Sequence, residues 1–122
     1  MEMCGRQMRG KMGEDAAEEY LHSMGLITLE RNWRSGHKEI DLIMAGNEML
    51  HVIEVRTLCF PSLQDPYESV NIKKQNKIIS AARDYIARNR ILVETQFDIV
   101  SVKIIEGSFT IEYFPDAFAP RW

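Results

Sequence analysis

The sequence predicts an α/β fold, a mixed β-sheet with helices packed on it, in the order helix, three strands, helix, two strands. Three observations carry this. Apolar residues recur at helical spacing at Ala16, Ala17, Tyr20, Leu21 and Met24, and again at Ile72, Ile78, Ile79, Ala82 and Ile86. Between these stretches, Glu39 to Met44 and Met49 to Arg56 alternate apolar with charged residues at period two, on either side of Ala45-Gly46-Asn47-Glu48. Beyond the second helix, Gln96 to Ile104 and Ser108 to Phe114 have strand composition and are hinged at Glu106-Gly107.

Residues 1–12 are rich in Met, Gly and basic side chains with no period, and are expected to form a flexible N-terminal arm ahead of a single domain over 13–122. From Gly13 the apolar spacing gives a helix of about three turns, which Gly25 stops. Leu26 to Trp33 is β-rich and reads as the first strand, with Trp33 a packing residue and a turn at Ser35-Gly36. After Arg56, Pro61 and Pro66 exclude a central strand because proline has no N–H for the ladder, so a loop is expected there. Asn71 is placed to cap the second helix, which runs to about Asn89. The tail carries Pro115 and Pro120 and is expected to be irregular.

At 122 residues, 45% hydrophobic and 27% charged, the chain falls in the single-domain range and can bury a core. It has no apolar run long enough to cross a bilayer and no secretory-type start, so a cytoplasmic protein is expected. Cys4 and Cys59 make neither a disulfide framework nor a zinc spacing, and both are expected to be reduced. His22, His37 and His51 lack ligand spacing and read as packing or surface residues. A net charge of −3 argues against nonspecific coating of nucleic acid, yet basic residues cluster at Arg6, Arg9 and Lys11, at Arg31, Arg34 and Lys38, and at Lys73, Lys74 and Lys77.

The hairpin holds the chemistry. Successive strand side chains take opposite faces, so Glu39, Asp41 and Ile43 share one face while Ile40, Leu42 and Met44 share the other. Val52, Glu54 and Arg56 divide from His51, Ile53 and Val55 in the same way. An even number of loop residues puts Asp41 and Glu54 on one face and an odd number separates them. A four-residue loop, Gly46 to Met49, sets Asp41 directly across from Glu54.

Carboxylates gathered on a face that is otherwise apolar need a partner. One reading supplies a divalent cation, which takes hard oxygen ligands and leaves positions open for water and phosphate. The other is a salt-bridge cluster in which Arg56 neutralises Glu54 and either Glu39 or Asp41. Glu14, in the first turn of its helix, either serves the dipole or faces this cluster. Lys73 and Lys74 oppose the second helix's dipole at a cost of about a few tenths of a kcal/mol each, which an anion nearby, Glu54 or a phosphate, would offset. A solvated charged face is the alternative.

In order, the chain presents Gly13-Glu14-Asp15-Ala16-Ala17, Arg31-Asn32-Trp33-Arg34, Glu39-Ile40-Asp41-Leu42-Ile43, Val52-Ile53-Glu54-Val55-Arg56, Ser69-Val70 with Lys74, and Phe97-Asp98-Ile99-Val100. This succession, from about Gly10 to Ala117-Phe118, resembles the YraN-like family of uncharacterised bacterial proteins. That family looks like part of the PD-(D/E)xK nuclease superfamily and is similar to archaeal Holliday junction resolvases. The resemblance implies a restriction-endonuclease-like three-layer fold, cleavage of DNA phosphodiesters with magnesium or manganese, and a homodimer. By position it gives Asp41, Glu54, Arg56 and Lys74 the catalytic places, and Glu14, Asp41, Glu54 and the Val55 carbonyl the metal places. Lys11, Arg34, Lys38, Lys73, Lys74 and Lys77 are the candidate nucleic-acid contacts.

Two departures bear on turnover. Arg56 stands where the family pattern of the superfamily has lysine, and its guanidinium cannot accept a proton from water. Lys38 stands where glycine is usual. The rival classes are a noncatalytic nucleic-acid-binding module and a structural or protein-interaction domain.

Overall fold

The computed structural model describes residues 6–59 and 70–120, with side chains from Gly10 onward. Its elements are α1 (Arg6–Ser23), β1 (Ile27–Ser35), β2 (Lys38–Gly46), β3 (Met49–Cys59), α2 (Ile72–Asn89), β4 (Glu94–Ile105) and β5 (Ser108–Phe118). The strands form one sheet in the order β1-β2-β3-β4-β5. All neighbours are antiparallel except β3 and β4, which are parallel. A parallel pair needs a crossover, and α2 lies on it.

Strand alternation distributes the apolar side chains over the two faces. On one face, Ala17 and Leu21 of α1 pack with Leu42, Met44, Ile53, Val55, Val100 and Val102. On the other, Ile78, Ile79, Ala82 and Tyr85 of α2 pack with Ile43, Leu50, Val52, Phe97 and Ile99. The result is a restriction-endonuclease-like α/β architecture, with one helix on each side of a mixed sheet. Gly13 is buried against β3, where a Cβ would run into the Thr57 side chain, so a larger residue cannot make this approach without displacement. Trp33 packs edge-on to Tyr85 with ring centroids 5.2 Å apart.

The β2–β3 connection is tighter than a four-residue loop. Gly46 pairs with Met49, leaving Asn47 and Glu48 as the turn, with φ of 55° and 60°. Two left-handed residues match the twist of a hairpin. Shortening the loop by two residues keeps parity and register, so one step beyond the pair Leu42↔Ile53 still sets Asp41 opposite Glu54.

Five other expectations are corrected. α1 begins at Arg6, so residues 6–12 are helical and not an arm, and residues 1–5 lie outside the described residues. Ile40 packs with Ile43 on the α2 side while Leu42 packs on the α1 side, so strict alternation breaks at Asp41. Asn32, between the pairs Arg31↔Leu42 and Trp33↔Ile40, has a φ of 53° beside this break. The tail continues β5 to Phe118, because Pro115 falls in an irregularity of an edge strand, between the pairs Ile99↔Phe114 and Phe97↔Phe118. Ile72 is exposed, and Ala81 and Tyr85 complete the buried stripe in its place. Cys59 is disulfide-bonded, against the expectation of a reduced thiol. The loop expected around Pro61 and Pro66 lies outside the described residues.

Candidate metal and nucleic-acid site

The site forms where the β2–β3 ladder ends. The Val55 N–H donates to Asp41 Oδ2 at 2.8 Å, so a side chain replaces the backbone acceptor and the carboxyl is pinned between the strands. Glu54 follows the alternation of β3 onto the α2 side and is 4% exposed. Above it stands the first turn of α2, started by Asn71, whose side chain accepts the Lys74 N–H at 2.9 Å. This cap brings Lys74 Nζ to 2.6 Å from Glu54 Oε2, while Arg56 Nη1 lies 3.6 Å from the same oxygen. Glu54 Oε2 is therefore buried and met by two cationic side chains.

Asp41 and Glu54 converge, and the electrostatics record it. Burial, then the Glu54 charge and a hydrogen bond between the two carboxyl groups, push the Asp41 pKa well up, against the Val55 N–H, which favours the anion. Two carboxyls so placed share a proton or take a cation. A cavity of about 320 Å³ opens on them, bordered also by Lys38, Glu39, Lys74 and Lys77.

Glu14 is placed differently from the expectation. Its Oε1 accepts from Asn32 Nδ2 at 3.1 Å and lies 3.4 Å from Arg31 Nη2. Arg31 also reaches Asp15 at 2.6 Å and Glu18 at 3.2 Å, and its hydrogen bond holds Asp15 below the ordinary carboxylate range. Glu14 is close enough to raise Asp41 further, as the smallest of the causes. Among the described residues, no group of three or more His, Cys, Asp or Glu side chains is arranged to hold a metal. The acids that the chain brings together are therefore Asp41 and Glu54. With both carboxyls bordering one cavity, and burial and the Glu54 charge raising the Asp41 pKa, this pair fits as two oxygen ligands of a divalent cation.

The basic residues divide. Lys38, Lys74 and Lys77 border the carboxyl cavity. Lys38 is held by Ser80 at 2.8 Å and Asp84 at 3.2 Å. Lys11 and Arg34 border a larger neighbouring cavity of about 970 Å³ with Glu14 and Arg31, and Glu39 borders both. Arg34 pairs with Glu39 at 2.9 Å, so Glu39 is the partner of Arg34. Lys73 is exposed in the first turn of α2. Val55 is buried on the α1 side.

One further polar cluster lies outside the residues expected from the sequence. Asp98 is fully buried and accepts from Gln96, Tyr113, the Asp116 N–H and His51. The legible signal was a pair of polar residues, Gln96 and Asp98, on one face of an otherwise apolar strand. No helix among the described residues is long and apolar enough to cross a membrane.

Comparison with known proteins places the chain in a family. The model of the uncharacterised protein family UPF0102 matches residues 13–102. A UPF0102 protein of Bacteroides fragilis is 36% identical over 118 residues, 97% of this chain and 98% of the relative. One from Bacteroides thetaiotaomicron is 37% identical over 91% of this chain and 92% of its own length. A third, from Dictyoglomus turgidum, is 38% identical over 89% of this chain and 95% of its own length.

Proposed function

This chain belongs to the uncharacterised protein family UPF0102, and from that premise we propose that it is a divalent-metal-dependent endonuclease acting on DNA, branched DNA included. The observation that carries the reading is the convergence of Asp41 and Glu54 on a cavity bordered by Lys38, Lys74 and Lys77. Asp41 and Glu54 would hold magnesium or manganese, with the Val55 carbonyl as a further candidate ligand, while Glu14 is taken by Arg31 and Asn32. The bound cation supplies Lewis-acid charge against a phosphate and lowers the pKa of water beside it.

The chain's own groups do the rest. Val55 N–H fixes the Asp41 carboxyl, and Lys74, tied to Glu54 in this structure, is the nearest ammonium to meet a phosphate in the cavity. Lys77 borders the same cavity, and the start of α2 presents its dipole to an anion there. Lys73 extends this basic edge, and Lys11 and Arg34 extend it on the other side. Arg56 neutralises charge beside Glu54, and its guanidinium leaves it no role as a base.

The 2.6 Å contact between Lys74 and Glu54 also favours a second reading, a noncatalytic DNA-binding module in which the lysine takes the cation's place. One experiment separates them: incubation with branched, flapped and linear DNA in manganese. The endonuclease reading expects cleavage that Asp41→Ala abolishes. DNA bound and left intact would support the module, and products that persist in Asp41→Ala would overturn the assignment of this site.

A further inference from the structure

Phe97-Asp98-Ile99-Val100 is a motif that the nuclease reading does not use, and it supports a second site on the other side of the sheet. Asp98 Oδ1 accepts from Gln96 Nε2 at 2.8 Å and from the Asp116 N–H at 2.9 Å. Its Oδ2 accepts from the Tyr113 hydroxyl at 2.7 Å and meets His51 Nδ1 at 2.9 Å. A carboxylate surrounded by donors acts only as an acceptor, so the His51 proton sits on Nδ1. Nε2 is left as the ring nitrogen without a partner among the described residues.

His51 is 5% exposed, and its Nε2 is buried with no hydrogen-bond partner among the described residues. An imidazole fixed in one tautomer by a carboxylate, with its second nitrogen unpaired, is prepared to receive a donor. His51 borders a cavity of about 310 Å³, together with Gln96 and Tyr113 on the polar side and Met24, Leu26 and Met49 on the apolar side. A few fixed polar groups set in an apolar wall is the usual form of a small-molecule site, and the volume is that of a small one. Metal is the poorer fit, because among the described residues no second His, Cys, Asp or Glu borders this cavity.

We propose that this cavity takes a small organic molecule that gives an O–H or N–H to His51 Nε2 and lays an apolar body against Met24, Leu26 and Met49. The site lies on the α1 face, whereas Glu54 faces α2, so it is separate from the carboxyl pair and does not rest on the nuclease reading.

The test uses two matched probes on the full ¹⁵N-labelled chain: phenol, which has the donor, and anisole, which has the same ring without it. Phenol is expected to shift the His51 Nε2 resonance and to bind about tenfold more tightly than anisole, the worth of one good hydrogen bond. His51→Phe is expected to erase that preference, and Asp41→Asn to leave it intact. If His51→Phe does not fold, His51→Gln and the wild-type phenol-to-anisole ratio carry the test. Equal affinity for the two probes, or an unmoved His51 signal at saturating phenol, would overturn the proposal.

Discussion

Replacing Asp98 with alanine removes the acceptor for four donors at once: Gln96 Nε2, the Asp116 N–H, the Tyr113 hydroxyl and His51 Nδ1. Each buried donor left unsatisfied costs about 1–3 kcal/mol, and part of that is recovered where Gln96 and Asp116 can turn to water. The net loss expected for Asp98→Ala is about 4 kcal/mol, a large share of the ~5–15 kcal/mol that holds a domain together. Asp98→Asn should cost about half as much, because its amide oxygen keeps two of the donors while the Tyr113 oxygen, and His51 Nδ1 in the other tautomer, accept from its NH₂. Urea unfolding monitored by circular dichroism reads both, and an unchanged slope would mark the midpoint shifts as stability changes. At about 4 °C per kcal/mol, Asp98→Ala should melt roughly 15 °C below the wild type. An alanine variant within about 1 kcal/mol of the wild type would refute the view that this buried carboxylate ties β3, β4 and β5 together.

The carboxyl pair makes a prediction of opposite sign. Asp41 binds its proton more tightly folded than unfolded, chiefly through burial and then through Glu54, so its contribution to stability falls as pH rises from the ordinary carboxylate range to its raised value. In EDTA at neutral pH, Asp41→Asn should therefore be more stable than the wild type, with the gap closing on acidification; a gap that widens in acid would contradict this. Gly13→Ala should destabilise by about 1–3 kcal/mol through collision with Thr57, and Thr57→Ala should return part of that loss in thermal melts of the double variant. Asn71→Ala should cost about 1 kcal/mol by chemical denaturation and loosen Lys74 from Glu54, which should weaken DNA binding measured by fluorescence anisotropy.

Much of the fold was legible because it rests on local patterning. The period of two in β3 and in β2 from Leu42 onward, the helical spacing in α2 and the Asn71 cap each appear in the sequence and in the structure. Parity did the most for the site: it placed Asp41 opposite Glu54 even though the turn proved two residues long, because removing two residues leaves every face unchanged. What stayed hidden depends on partners distant in sequence. Glu14 looked inward on its helix, but Arg31 and Asn32 across the α1–β1 interface claim it. Asp98 and His51 become neighbours only through the parallel β3–β4 register, in which Ile53 pairs with Asp98 and His51 with Gln96, and no sequence pattern prints a register between strands joined by a helix. Pro115 marked a break for the same reason, since an edge position tolerates it and edges are set by topology.

Whether Asp41 and Glu54 act together as a cation site is best decided by isothermal titration of the EDTA-stripped chain with manganese at neutral pH. Saturable binding is expected for the wild type, with loss of that signal in both Asp41→Asn and Glu54→Gln while their circular dichroism stays native. No saturable heat in the wild type, or binding undiminished in the two variants, would contradict it.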